Sequence, residues 1–135
     1  MTAGQRIAQI FGWAFIGAGL AGFAATGTSM NPDHLTAPRL FGLFPVNVLH
    51  NVVHLTFGLW GIFGSRSPGA ARVYLQGAGL VYLVLAALGY VIPNGLGLVP
   101  LGGNDIGLHI FLGLGLLLSG MITAPRARAS GTAAP

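Results

Sequence analysis

The chain has no cysteine and no lysine, and Asp33 and Asp105 are its only acidic side chains. The absence of cysteine excludes disulfides, cysteine-ligated zinc, iron–sulfur clusters and thiol catalysis. The absence of lysine excludes a Walker A phosphate loop and a lysine Schiff base. The two aspartates and four histidines are therefore the main candidates for a site.

Charge is scarce along the whole sequence. Charged residues make up 6% of the chain, hydrophobic residues 53%, and the mean hydropathy is +0.76, whereas about a quarter of a typical soluble domain is charged. This composition predicts an all-α membrane protein. The net charge of +4 does not indicate nucleic acid as a partner, because the arginines are scattered in loops and at the chain ends, where they set membrane topology.

Four apolar stretches predict a four-transmembrane-helix bundle in a single domain, residues 1–135. The predicted spans cover residues 7–26, 40–63, 72–92 and 104–123, followed by a flexible tail over residues 124–135. Pro45 is expected in the first turn of the second span, where its missing N–H costs little, and Asn104 is expected to cap the fourth. Asp33 and His34 follow a proline in the first connection and predict a solvated turn.

The arginines predict an orientation. With four spans, five of the six arginines lie on one side of the membrane, and only Arg39 lies on the other with both aspartates. The positive-inside rule then places both termini in the cytoplasm of a bacterial cell, with the protein in its inner membrane. The histidines would face the outer half of the bundle.

Two matching signatures stand near the starts of the second and fourth spans. The first consists of His50, His54 and Gly58, and the second repeats its spacing with Asp105, His109 and Gly113. Four-residue spacing places each set on one helix face. Their recurrence predicts two helical hairpins in a 2+2 pseudo-repeat, with His54 and His109 in equivalent positions. Ionisable groups at membrane depth are costly, so they require a partner or a function.

Three interpretations of these side chains remain open. In the structural one, the histidines, Asn47 and Asn51 form a hydrogen-bond network between helices. In the second, His54 and His109 are axial ligands of a haem, with His50 beside them, or one histidine holds a chlorophyll-type pigment; the glycines would leave room for the ring. In the third, three histidines and one carboxylate bind zinc, copper or iron. That ligand set would be His50, His54, Asp105 and His109.

The first signature also carries a resemblance. The run from Leu40 to Gly58, which contains FPVN followed by the two histidines, resembles a widespread family of small bacterial four-helix membrane proteins of unknown function. The second half matches through Asn104-Asp105, His109 and Gly113. Family members usually place another polar residue directly after the aspartate, where this chain has Ile106. The resemblance implies a four-helix membrane fold and no activity.

These observations favour a non-catalytic accessory subunit of a larger bacterial membrane complex, respiratory or photosynthetic. The protein is small and very apolar, and no complete catalytic constellation is visible; no glutamate follows the histidine pair as in metalloproteases. A haem-, pigment- or metal-binding membrane protein is the alternative, and a small transporter or channel the third. The expected partners are membrane lipid and either other membrane subunits or further copies of the chain.

Overall fold

The computed structural model describes residues 1–123, and these form four α-helices joined by one short and two longer connections. The helices are α1 (Ala3–Thr26), α2 (Val48–Gly64), α3 (Pro68–Val91) and α4 (Asn104–Ile122). Two-residue strands β1 (Arg39–Leu40) and β2 (Phe44–Pro45) pair antiparallel in the first connection. The helices α1, α3 and α4 are long and apolar enough to cross a membrane, while α2 is shorter. The predicted tail, residues 124–135, lies outside the described residues.

Side-chain caps fix three of the helix starts. Thr2 and Gln5 form a capping box at α1, in which each side chain accepts a hydrogen bond from the other residue's backbone N–H. The Ser67 hydroxyl accepts from the backbone N–H of Ala70 at α3, whose first residue is Pro68. The third cap, Asn47 at α2, belongs to the site described below. Such caps satisfy N–H groups that have no partner within the helix, so they define where a helix begins.

The predicted start of the second helix is wrong. The helix begins at Val48 rather than at residue 40, and Pro45 lies in β2 rather than in a first helical turn. The physical reason is the turn between the strands, where Phe41 and Gly42 have φ angles of +53° and +71°. Those values lie outside the right-handed helix. At the fourth helix, Asn104 is the first helical residue and Gly103 occupies the cap.

The helices pair as two hairpins, α1 with α2 and α3 with α4. At Gly12 in α1, an added Cβ would lie 2.8 Å from the backbone nitrogen of Ile62 in α2. At Gly79 in α3, it would lie 2.6 Å from the backbone nitrogen of Leu117 in α4. Small residues therefore allow the backbones to approach closely in both hairpins. The two contacts are equivalent, because each joins the middle of the first helix of a hairpin to the C-terminal half of its second helix.

The hairpins meet around two aromatic rings. Phe15 of α1 and Tyr82 of α3 stack with their centroids 5.2 Å apart, and both are buried. Phe15 also stacks on His54 at 6.0 Å, and Tyr82 meets His109 edge-on at 5.2 Å. Each histidine therefore lies against the aromatic residue of its own hairpin, and the two aromatic residues join the hairpins at the centre.

The two long connections, residues 27–47 and 92–103, cover the same end of the bundle, which we call the loop end. Asn104 donates its side-chain amide to the carbonyl of Leu43 at 3.1 Å. The backbone N–H of His34 donates to Asn94 Oδ1 at 3.1 Å, and His34 Nδ1 lies 2.8 Å from the same oxygen. These contacts tie the first hairpin to the second.

The prediction of a solvated turn at Asp33 and His34 is therefore wrong for His34, whose side chain is 20% exposed and contacts Asn94. Asp33 does form an exposed turn. Its carboxylate accepts hydrogen bonds from the backbone N–H of Leu35 and the hydroxyl of Thr36, and these bonds lower the pKa of Asp33 below its usual value.

Candidate metal centre

Three side chains from two helices converge near the loop end. His50 lies in the first turn of α2, Asp105 in the first turn of α4, and His109 one turn further along α4. One nitrogen or oxygen ligand atom of each lies within 4.8 Å of the others. His50 Nε2 of α2 lies 3.6 Å from Asp105 Oδ2 of α4. The four-residue spacing in α4 therefore does place Asp105 and His109 on the face that meets α2.

The cluster is shielded from the surroundings. His50 is 5% exposed, and Asp105 and His109 are each 2% exposed. Pro45 and Pro100, one from each long connection, are also fully buried at this end of the bundle. The loop end thus acts as a cover over the ionisable groups.

Three buried polar atoms of the cluster have no hydrogen-bond partner among the described residues. Among the residues that the structure describes, no hydrogen bond reaches Nδ1 of His50, Nδ1 of His109 or Oδ2 of Asp105. Leaving a buried polar atom unsatisfied costs about 1–3 kcal/mol, so such atoms in a native structure call for an explanation. The structural interpretation predicts a hydrogen-bond network between helices. These three side chains approach one another without hydrogen-bonding, so that network is incomplete.

His54 belongs to the predicted ligand set but lies beside the cluster. Its ring is 4.6 Å from the ring of His50 and stacks on Phe15. Its Nδ1 also has no hydrogen-bond partner among the described residues. The structure therefore brings three of the four predicted ligands together and keeps the fourth one helical turn away. Asn51, the other amide on this face of α2, instead donates to Thr26 in α1 at 3.0 Å.

The packing around His54 and His109 favours an ion over a tetrapyrrole. The Phe15 and Tyr82 rings stack between the two hairpins and contact these histidines. A small cavity of about 60 Å³ lies beside His50, His54 and Tyr82. A space of that size can hold ordered water but not a tetrapyrrole. Axial ligation of a haem by His54 and His109 stays a prediction. It requires Phe15 and Tyr82, whose rings contact these histidines, to move.

The ligand set fits a transition metal. Imidazole and carboxylate groups bind zinc, copper and iron. Bonds of about 2.0–2.1 Å to a tetrahedral zinc place the ligand atoms roughly 3.3 Å apart. The His50–Asp105 approach of 3.6 Å is already close to that value, so small side-chain rotations would complete a three-ligand site. A fourth position would remain for water or another ligand.

Sequence analysis named Asn47 but missed its role as a cap, and it missed the part of Tyr82 in this site. Asn47 caps α2 directly before His50, and Tyr82 packs on His109. Asn47 could have been found as a cap, because asparagine is among the preferred N-cap residues. Tyr82 could have been found from the pseudo-repeat, because Phe15 and Tyr82 are as far apart in the sequence as Gly12 and Gly79.

The fold and the site define a class: a small all-helical protein with an apolar exterior and a buried histidine–carboxylate cluster. Within that class, the chain belongs to the DUF4383 family, a domain of unknown function, whose profile matches residues 5–122. No curated protein and no solved structure matches the chain. The resemblance to an uncharacterised family is thereby confirmed, and the family supplies no activity.

Proposed function

We propose that this protein is an integral membrane protein that binds one transition-metal ion between α2 and α4, through His50, Asp105 and His109. The supporting observation is the convergence of three buried ligand atoms, within 4.8 Å, from two separate hairpins. A bound ion would give a partner to Asp105 Oδ2, which has none among the described residues. It would also link the two hairpins.

The role that we propose is non-catalytic. The chain has no cysteine, lysine or glutamate, and its second carboxylate, Asp33, is exposed in the first connection. A metal-bound water would therefore lack a neighbouring carboxylate to act as a general base. The bound ion would then stabilise the bundle or be used by a partner protein.

The proposed location is the inner membrane of a bacterial cell, with four spans and both termini in the cytoplasm. Three helices have sufficient length and apolarity, and the arginine distribution supports the orientation. The 17 residues of α2 extend only about 25 Å at 1.5 Å per residue, less than the hydrocarbon thickness of about 30 Å. The buried apolar residues Pro45 and Val46, which directly precede α2, would occupy the remaining depth, with Arg39 outside the hydrocarbon.

The direct test is the metal content and absorption spectrum of protein gently solubilised from its native membrane. We expect one zinc, copper or iron ion per chain, lost in His109→Ala and retained in His34→Ala, a control that removes a histidine outside the cluster. Metal content that is low and equal in both variants would refute the proposal. A Soret band lost in His54→Ala and His109→Ala would instead support haem ligation.

A role as an accessory subunit of a respiratory or photosynthetic complex is the second candidate, and it is compatible with a bound ion. The observation that favours it is an open apolar cleft of about 420 Å³ on the outer surface of α3 and α4. Ala86 and Ala87 line this cleft beside Ile110. Small residues allow a neighbouring transmembrane helix to approach closely, whether from another subunit or from a second copy of the chain.

This second candidate is tested by native electrophoresis and cross-linking in the source membrane. We expect wild-type protein to migrate within a larger assembly and Ala87→Phe to leave it. The matched control is Val81→Phe, an exposed position on a different face of α3. A wild-type protein that stays monomeric and co-isolates with nothing would contradict the proposal.

A further inference from the structure

A second cavity opens on the side of the bundle between α1 and α4. These two helices hardly contact each other, and the space between them measures about 270 Å³. Its walls include Phe11, Phe44 and Leu112, and its mouth lies where Ala14 and Phe41 are exposed. In a membrane this mouth would face the acyl chains, so a ligand could enter from the lipid without crossing water.

The inner end of this cavity is polar. His54 and Asp105 both line it, and they are 8% and 2% exposed. His54 Nδ1 and Asp105 Oδ2 have no hydrogen-bond partner among the described residues. Ligand sites typically combine apolar walls with a few convergent polar groups. The imidazole of His54 can donate or accept a hydrogen bond, so it suits an uncharged oxygen of the carbonyl or hydroxyl type.

The walls indicate the shape of the ligand. Four phenylalanines line this cavity: Phe11, Phe15, Phe41 and Phe44. The cleft on the opposite side, between α2 and α3, measures about 310 Å³ and is lined by aliphatic side chains and one glycine. The two-hairpin arrangement therefore does not by itself impose an aromatic lining. Stacked and edge-on contacts with phenylalanine favour a flat ring.

Phe41 adds an independent observation. It has a φ of +53° and its side chain is 78% exposed at the mouth of the cavity. The left-handed region brings the Cβ of a bulky residue too close to the backbone, so this conformation is strained. The turn between β1 and β2 imposes this conformation, which places the Phe41 ring at the mouth of the cavity.

We propose that the α1–α4 cavity binds a lipid-soluble molecule with a planar ring and a carbonyl or hydroxyl oxygen on that ring, of the quinone or quinol type. The ring lies among the phenylalanines, its oxygen meets the imidazole of His54, and its apolar tail extends into the lipid. A volume of about 270 Å³ holds a one- or two-ring head but little of the tail, since pockets for drug-sized ligands begin at about 300 Å³. This inference does not depend on a metal ion.

The test is equilibrium dialysis of the full chain in lipid nanodiscs against a benzoquinone carrying a ten-carbon tail. Protein-free nanodiscs give the background from partition into lipid. We expect saturable binding of one molecule per chain. Ala18→Phe, which fills the cavity wall, should weaken binding at least about tenfold. Its matched control is Gly17→Phe, because Gly17 faces open space on the same helix.

Two further measurements separate recognition of the ring oxygen from non-specific apolar binding, and separate the cavity from the metal site. His54→Phe should weaken binding of the quinone but leave metal content unchanged, whereas His109→Ala should do the reverse. Decylbenzene, which has the ring and tail but no oxygen, should bind at least several-fold more weakly. The proposal is overturned if the quinone binds no better than to empty nanodiscs, if Ala18→Phe and Gly17→Phe behave alike, or if decylbenzene binds equally well.

Discussion

Asn47, the N-cap of α2, donates its side-chain amide to the carbonyl of Leu98 at 2.8 Å, across the two connections of the loop end. Its Oδ1 meanwhile accepts from the backbone N–H of His50 at 2.9 Å. One fully buried side chain thus fixes the start of α2 and joins the first hairpin to the second. Because the cap bonds to His50 itself, Asn47 also sets the position of the metal ligand from α2.

Asn47→Ala should therefore lower the thermal unfolding temperature in detergent. Loss of an N-cap costs about 0.5–2 kcal/mol, and the carbonyl of Leu98 loses a partner as well. Asn47→Ser keeps a capping oxygen and loses only the amide donor to Leu98, so its effect should be smaller. Thr56→Ala is the control, because the Thr56 hydroxyl is exposed and bonds only within α2. An Asn47→Ala protein that unfolds like wild type would contradict this account of the loop end.

Close glycine packing predicts a second effect. Gly79→Ala should destabilise the protein, because the new methyl group would lie 2.6 Å from the backbone nitrogen of Leu117. Overpacking of this kind typically costs about 1–3 kcal/mol. Gly17→Ala should have no destabilising effect, since nothing lies within 4 Å of the added carbon. Unfolding by denaturant in mixed micelles compares the two. If the Gly79→Ala and Gly17→Ala proteins lost the same stability, the close approach of α3 and α4 would not depend on Gly79.

Metal removal should destabilise the wild type selectively. A ligand that binds only the folded state adds about 2.7 kcal/mol of stability at 100 times its dissociation constant. A membrane-permeant chelator should thus lower the unfolding temperature of wild type and of His34→Ala. It should have no effect on His50→Ala or His109→Ala, which lack a ligand. A chelator effect that persists in the cluster variants would place the bound ion elsewhere in the chain.

Much of the fold was predictable from local signals. The run of apolar residues between polar connections predicts four helices, and the recurrence of four-residue spacing predicts that His50 meets Asp105 and His109. These features depend on periodicity and on the cost of burying charge, which a sequence displays directly. The start of α2 was not predictable from hydropathy, because the strand pair at residues 39–45 is as apolar as a helix.

Other features of the site depend on packing between hairpins. His54 shares a helix face with His50, yet its ring stacks on Phe15 and stays outside the three-ligand cluster. That outcome depends on how α1 packs against α2, which no local pattern records. The cavity between α1 and α4 arises in the same way, because α1 and α4 are each held by their own partner helix and leave a gap between them.

The central claim is that an ion is held by side chains from both hairpins, and X-ray absorption spectroscopy at the edge of the bound metal tests it most directly. The account predicts a shell of nitrogen and oxygen ligands near about 2.0–2.1 Å, with the outer scattering of two imidazoles in wild type and of one imidazole in His50→Ala. A shell of oxygen ligands alone, or a spectrum that His50→Ala leaves unchanged, would contradict it.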